Sequence, residues 1–510
     1  MSNVSQISFT ELGPMDEHNR ELLTNAHPLD WKNPTPADRY NMVVVGAGPA
    51  GLVTAAGVAG LGGTVALVER YLFGGDCLNF GCVPSKTLIA AARAAADVRR
   101  ADRYGIELAF SKVDFAAVME RVRRIRGQIS HHDAVQKFQD MGIDVFLGDA
   151  AFTGQDTVEV EGQALRFARA CIATGARAVR PDIEGLAEAG FHTNESIFSL
   201  TELPPRLAVL GSGPLGCELA QAFARLGSEV TIIERSGQFL KREDRDAADI
   251  VGRSFMRDGI HCVFNSQVKR VTGGTGGKQL LLVSDGKESS VEVDAILVGY
   301  GRAPNVDGLG LEAAGVAYDA RHGVNVDDRL RTTNKRIYAA GDVCLKHKFT
   351  HTADATARIV IQNALFWGRK KLSALTIPWC TYTDPEVAHV GLYEHEAKER
   401  GLEVDTFTKP FKDNDRAVTE GEDEGFVRIH VKKGSDRIVG ATIVGRHAGE
   451  MISELSVAMA GKVGLSMLAN VIHPYPTLSE AIKGVGDMYS HTRLTPLLKK
   501  LFVRILAWRR

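Results

Sequence analysis

The strongest constraint on the fold is a strand–glycine turn–helix–strand unit that occurs twice in the chain. An apolar run at 42–45 leads into Gly46-Ala47-Gly48-Pro49-Ala50-Gly51, a small-residue helical stretch and a second apolar run at 64–68 followed by Glu69. The pattern returns about 165 residues later: a run at 207–210, Gly211-Ser212-Gly213-Pro214-Leu215-Gly216, a helical stretch to Leu226, a strand at Glu229–Ile233 and Glu234. Each glutamate stands 23 positions after its first glycine. The first glycine permits the tight turn, the second lets backbone approach a pyrophosphate, and the third lets helix pack on strand. The helix N-terminus offers free N–H groups and partial positive charge to phosphates, and Glu69 is placed to accept from ribose hydroxyls. One such motif is weak evidence. Two in register predict two dinucleotide sites, and two in tandem suggest a relay between cofactors. Glu234 argues for NADH over NADPH because a carboxylate repels a 2′-phosphate. Arg235, Lys241 and Arg242 keep NADPH as the alternative.

With 510 residues, 44% hydrophobic and 24% charged, the chain has the length for about three soluble domains. A net charge of −1 gives no electrostatic reason to expect nucleic acid. No stretch reaches the roughly 18 apolar residues of a membrane span and no signal-peptide pattern opens the sequence, which reads as cytoplasmic. Residues 1–40 read as an extension or loosely docked arm, and 84–140 as a long helical region. The segment from Pro378 reads as an α+β domain with antiparallel strands near 387–391, 403–409, 426–431 and 438–445.

Seven cysteines are too scattered for a secreted disulfide framework. Cys171, Cys217, Cys262, Cys344 and Cys380 read as small apolar residues. Cys77 and Cys82 stand apart, separated by four residues in Gly75-Asp76-Cys77-Leu78-Asn79-Phe80-Gly81-Cys82-Val83-Pro84-Ser85-Lys86. A helix start lowers a thiol pKa, and Lys86 lies one turn past Cys82. These features favour a redox dithiol, with a metal site and a structural bridge as rival readings. No second Cys or His pair sits at a zinc-like distance, and His131-His132-Asp133 reads as a solvated helix face.

This segment closely resembles the active site of the class I pyridine nucleotide–disulfide oxidoreductases, which include dihydrolipoamide dehydrogenase, glutathione reductase and mercuric reductase. Further motifs follow in that family's order: Cys171-Ile172-Ala173-Thr174-Gly175, Gly301-Arg302-Ala303-Pro304-Asn305, Thr333 with Ala340-Gly341-Asp342, and Thr383-Asp384-Pro385-Glu386. The resemblance implies an α/β fold with two Rossmann-type domains and a C-terminal α+β dimerisation domain in a homodimer. It places a first FAD segment at 41–185, an NAD(P) domain at 186–305, a second FAD segment at 306–375 and the dimerisation domain at 376–490. FAD would lie on Gly46, Gly48, Pro49, Ala50, Gly51, Glu69, Gly75, Lys86, Thr174, Gly175, Gly341 and Asp342. The nicotinamide cofactor would lie on Gly211, Gly213, Gly216, Glu234 and Gly301. Cys82 would be the charge-transfer thiol beside the flavin and Cys77 the interchange thiol facing substrate. Lys86, paired with Glu218, would sit near the flavin.

The chain departs from the family near its C-terminus. His-Pro-Thr-x-x-Glu supplies the acid–base histidine in dihydrolipoamide dehydrogenase and glutathione reductase, entering from the partner subunit. Here His473-Pro474-Tyr475-Pro476-Thr477-Leu478-Ser479-Glu480 puts Tyr475 at that position when Glu480 is aligned. A phenol titrating near about 10 is a poor base at neutral pH. Tyrosine there resembles mercuric reductase, yet the metal-passing C-terminal cysteines and the amino-terminal metal-capturing domain are missing. The leading expectation is therefore a mercuric-reductase-like enzyme acting on a metal or thiol-type acceptor. Dihydrolipoyl dehydrogenase, with His473 as base, is the alternative. The tail at 491–510 is basic and amphipathic, which admits peripheral membrane contact and a quinone acceptor. A redox sensor with slow turnover is the non-enzymatic reading.

Overall fold

The computed structural model describes residues 9, 12–107, 112–274 and 276–510, so parts of the 1–40 and 84–140 readings lie outside the described residues. The chain forms two compact units, Met1–Gly237 with Asp258–Ala374, and Gln238–Arg257 with Leu375–Arg510. The sequence reading assigned Gln238–Arg257 to the NAD(P) domain. Its contacts put it in the C-terminal unit, where Tyr393 Oη and Trp379 Nε1 both donate to Glu243.

In the first unit, Asp144–Leu147, Val65–Glu69, Tyr40–Val45, Gln163–Ile172 and Ile337–Ala339 form a parallel array, extended by the antiparallel strands Thr157–Val160 and Ala150–Gly154. Val43, Val45, Ala66, Val68, Ala170 and Ile172 on these near-continuous apolar strands join one buried core, as expected for strands covered on both faces. A second parallel sheet runs His261–Val263, Glu229–Ile233, Arg206–Leu210, Ala295–Val298. Each sheet meets its fingerprint helix, Pro49–Gly60 or Pro214–Leu226, at a glycine turn. A Cβ on Gly51 would fall 1.7 Å from Gly46 O and one on Gly216 2.2 Å from Gly211 O, so only hydrogen fits where helix crosses strand.

The region 84–140 is broken into helices Cys82–Arg99, Phe115–Ser130 and Val135–Asp140, separated in part at Gly105, whose φ is +74°. The reading of residues 1–40 as a loosely docked arm needs correction. Asp16 caps a helix, Glu17–Ala26, by accepting from Asn19 N, and Asn19, Leu22, Leu23 and Ala26 are buried. The polar composition concealed it because one of its buried residues is itself polar. In the second unit the antiparallel order is Pro378–Thr381, Glu386–Gly391, Ile438–Gly445, Phe426–Lys432, Val404–Pro410. Helices Ala448–Ala460 and Glu480–Thr492 contribute to its apolar core.

Candidate active site

Cys77 lies in the short helix Gly75–Asn79, and Cys82 is the first residue of Cys82–Arg99. The chain reverses between them at Gly81, where a Cβ would come within 2.9 Å of Asp76 O. Both thiols are free and in side-chain contact. Thr350 Oγ1 lies 3.4 Å from Cys82 Sγ, and Lys86 Nζ donates to Glu218 Oε2 at 2.7 Å. The Glu218 side chain is 5% exposed, which holds the ammonium in place.

The hydrogen bond from Cys77 is the main cause that brings the Cys82 thiol down to about 6, with Thr350 and Lys86 assisting against burial. The same bond, together with burial, pushes Cys77 up. The open helix N-terminus, where no side chain caps Gly81, also favours a thiolate at Cys82. In the reduced protein, iodoacetamide labelling of Cys82 is therefore expected to rise through pH 6 and to saturate below the ordinary thiol range, with Cys77 slower throughout. Rate profiles that place both thiols near about 8.5 would contradict this polarity.

Four residues near the pair carried no clear signal in the sequence. Asp76 accepts from Arg302 Nη1 at 2.9 Å and from Asn194 Nδ2 at 2.8 Å, while Asn194 also donates to Phe80 O. Arg302 additionally lies 3.7 Å from Asp342, so one half-buried guanidinium joins the cysteine loop to the Ala340-Gly341-Asp342 turn. Burial raises the Asp342 carboxyl against the pull of Arg302. Arg302 was legible only as part of a motif. Thr350 stands 268 positions from Cys82 and no local pattern marks it.

The residues assigned to FAD fit a dinucleotide. Gly46 has φ +105°, and a Cβ there would meet Ala173 O at 2.4 Å. Gly48 caps the helix without a side-chain bond, and among the described residues beyond its chain neighbours a Cβ built on it would meet only Gly75 Cα, at 3.8 Å, which leaves room for phosphate at a helix N-terminus. Pro49 and Ala50 open that helix. Thr174 Oγ1 donates to Asn305 O and Asn305 Nδ2 returns to Thr174 O, which ties the Thr174-Gly175 turn to the segment after Gly301. Glu69, expected to face ribose, accepts from Ala47 N at 2.6 Å and Tyr71 N at 2.8 Å, and burial raises its carboxyl. The second site repeats this plan: among the described residues beyond its chain neighbours, nothing lies within 4 Å of a Cβ on Gly213. Burial works to raise Glu234, but bonds from Ser236 and Ser212 hold it below the usual carboxylate range. Arg235 lies over the Tyr300 ring, 5.3 Å from its centroid.

In the second unit Tyr475 Oη donates to Asp415 Oδ2 at 2.8 Å. That bond and the Asp415 charge raise the phenol further, away from any role as a base at neutral pH. His473 has both ring nitrogens engaged, Nε2 with Glu454 Oε1 at 2.9 Å and Nδ1 with Val471 O at 3.1 Å. Glu480 begins the helix Glu480–Thr492. Cys171 and Cys217 are buried and Cys262, Cys344 and Cys380 half-buried. His131 pairs with Glu21 at 2.7 Å, and among the described residues no cluster of three or more His, Cys, Asp or Glu forms a metal-holding group.

Residues 40–357 match the pyridine nucleotide-disulphide oxidoreductase family, and residues 377–485 match its dimerisation domain. The chain belongs to this family. The oxidoreductase is 33% identical over 444 residues to mercuric reductase from Bacillus cereus, covering 87% of this chain and 70% of that one. It is 32% identical over 446 residues to dihydrolipoyl dehydrogenase from Geobacillus stearothermophilus, covering 86% and 93%. Among solved structures it resembles the Cu(II) complex of the HOCl-induced flavoprotein disulfide reductase RclA from Escherichia coli. That match has a TM-score of 0.78 and 30% identity, and covers 87% of this chain and 98% of that one. The oxidoreductase is thus an FAD-dependent, NAD(P)H-using enzyme of α/β fold that carries the family's dimerisation domain. Among the described residues no helix is long and apolar enough to cross a membrane.

Proposed function

We propose that this homodimeric enzyme uses NADH, in preference to NADPH, to reduce a soft metal ion delivered as a thiolate complex. The observation that carries the reading is the pairing of a low-pKa thiol at Cys82 with the engagement of both candidate bases, Tyr475 and His473. Tyr475 is bonded to Asp415, and His473 to Glu454 and Val471. A thiol substrate must lose protons to a base, whereas a soft cation is held by thiolates and needs none. The name of the Bacillus relative and the Cu(II) in the RclA structure support the same acceptor class.

FAD, when bound, supplies the hydride-accepting chemistry that links nicotinamide to the dithiol. The chain's part is binding, orientation and proton control. Gly48 and Gly213 open the two helix N-termini to phosphates, and ionised Glu234 discriminates against a 2′-phosphate. Lys86, fixed by Glu218, holds positive charge one turn from Cys82. Cys82 serves as the thiolate on the cofactor side and Cys77 as the thiol offered to the acceptor. Overall, NADH and one divalent ion give NAD⁺, a proton and the neutral metal, or NADH and two divalent ions give NAD⁺, a proton and two monovalent ions.

The second reading, dihydrolipoyl dehydrogenase, draws on the His473–Glu454 pair, an imidazole oriented by a carboxylate. It requires His473 Nε2 to exchange Glu454 for a substrate thiol. Parallel steady-state assays separate the two. NADH-dependent turnover of Hg(II) or Cu(II) thiolate complexes at least tenfold faster than dihydrolipoamide oxidation with NAD⁺ is the expected result. The reverse ranking overturns the metal reading. We further propose that the C-terminal helix makes peripheral membrane contact.

A further inference from the structure

The segment following the dimerisation-domain match, which ends at residue 485, forms a helix of its own, Pro496–Trp508. Pro496 stands in its first turn, and the Thr495 side chain accepts from Leu498 N, so the helix is locally well started. No residue of it is buried. Leu497 is 79% exposed and Trp508 86% exposed, although both belong to types that normally seek cover.

The arrangement around the axis is ordered. At about 100° per residue, Leu497, Trp508, Leu501, Ile505, Leu498 and Phe502 fall within an arc of about 140°, and Leu506 extends its edge. Lys499 lies beyond one margin of that arc, Arg504 and Lys500 beyond the other, and Arg509 and Arg510 follow the end of the helix. Acidic residues are absent after Asp487, in a protein whose overall charge is −1. A helix of 13 residues is about 20 Å long, too short to span about 30 Å of hydrocarbon. An apolar arc with cations on both flanks suits a helix lying in the headgroup plane, where Lys and Arg stems run along the apolar boundary and their charges reach outward. A tryptophan at the end of the arc suits the same interface.

We propose that Pro496–Trp508 is an in-plane anchor for an anionic lipid surface. This deepens the peripheral contact proposed above and is independent of the acceptor. Charge complementarity selects the occupant: a neutral surface or an apolar groove would not use the flanking cations, and phosphate headgroups would.

The test is co-sedimentation of the full-length FAD-loaded enzyme with phosphatidylcholine vesicles made with and without phosphatidylglycerol. Sedimentation velocity and Hg(II) turnover are measured on the same samples. Binding is expected to be at least tenfold stronger to the anionic vesicles, with a blue shift of tryptophan emission and weakening in high salt. Leu501→Glu with Ile505→Glu is expected to abolish binding, and Lys499→Glu, Lys500→Glu with Arg504→Glu to reduce it to the neutral-vesicle level. All these side chains are exposed, and dye-linked turnover in solution is expected to stay unchanged. Equal sedimentation with both vesicle types overturns the proposal. So does a shift of the Leu501/Ile505 variant from dimer to monomer without lipid, which would make the helix a subunit contact. Neither result bears on the metal-reductase reading, which the turnover assay judges separately.

Discussion

Replacing Cys82 by serine is expected to lower NADH-dependent metal reduction at least about a thousandfold while leaving FAD binding intact. The serine hydroxyl fits the site but supplies neither a thiolate at neutral pH nor a disulfide partner for Cys77. Its surroundings are built for a thiolate: Thr350 Oγ1 at 3.4 Å, a hydrogen bond from Cys77, and the Lys86 ammonium fixed by Glu218. Cys77→Ala is expected to lose metal turnover to the same degree, yet to keep the Cys82 thiol, whose pKa should rise once the hydrogen bond from Cys77 is gone. Steady-state rates and single-site alkylation profiles check both. Metal turnover within tenfold of wild type in either variant would remove the pair from the pathway.

The second large effect is expected at Arg126, which belongs to neither cofactor motif. Its side chain is fully buried, with Nη1 donating to Asn79 O at 2.8 Å and Nη2 to Asn19 Oδ1 at 2.6 Å. Burial brings the guanidinium down to about 10, so it stays charged at neutral pH. Asn79 lies between the two cysteines and Asn19 in the N-terminal helix, so Arg126 clamps the redox loop to the arm. A second link runs through stacked rings, Phe9 on Tyr71 at 5.4 Å and Tyr71 on Phe80 at 6.2 Å. Arg126→Met leaves two buried acceptors without donors, at about 1–3 kcal/mol each. A loss of about 2–6 kcal/mol is therefore expected in the unfolding transition of the first unit. The Cys82 labelling profile should also move toward an ordinary thiol. A variant with an unchanged urea midpoint and an unchanged labelling profile would show that the clamp does not act on the pair. Arg126→Lys, which can still donate to one acceptor, is expected to recover part of both.

What was legible in the sequence depended on how local its cause is. The fingerprint turns were readable because a steric requirement at three glycines, 46, 48 and 51, is written within six residues. The strand at Glu229–Ile233 was placed to the residue because β-branched, mostly apolar residues fill its four buried positions, Val230 to Ile233. Lys86 could be set on the face of Cys82 from helical spacing alone. Thr350, Asp76 and Arg302 act through contacts between segments far apart in the chain, and short-range periodicity carries no trace of such meetings. The arm helix was missed for a related reason: Asn19 is satisfied by Arg126, Leu12 and Pro14, so a residue that reads as surface is in fact core.

The central claim is that Cys77 and Cys82 exchange between disulfide and dithiol at the expense of NADH. The most direct measurement is differential alkylation of the air-oxidised, FAD-loaded enzyme before and after anaerobic addition of NADH, read by peptide mass spectrometry. Two new alkylated thiols, both on the peptide that carries Cys77 and Cys82, with the other five cysteines unchanged, is the result expected. Equal labelling of that peptide with and without NADH would contradict the account.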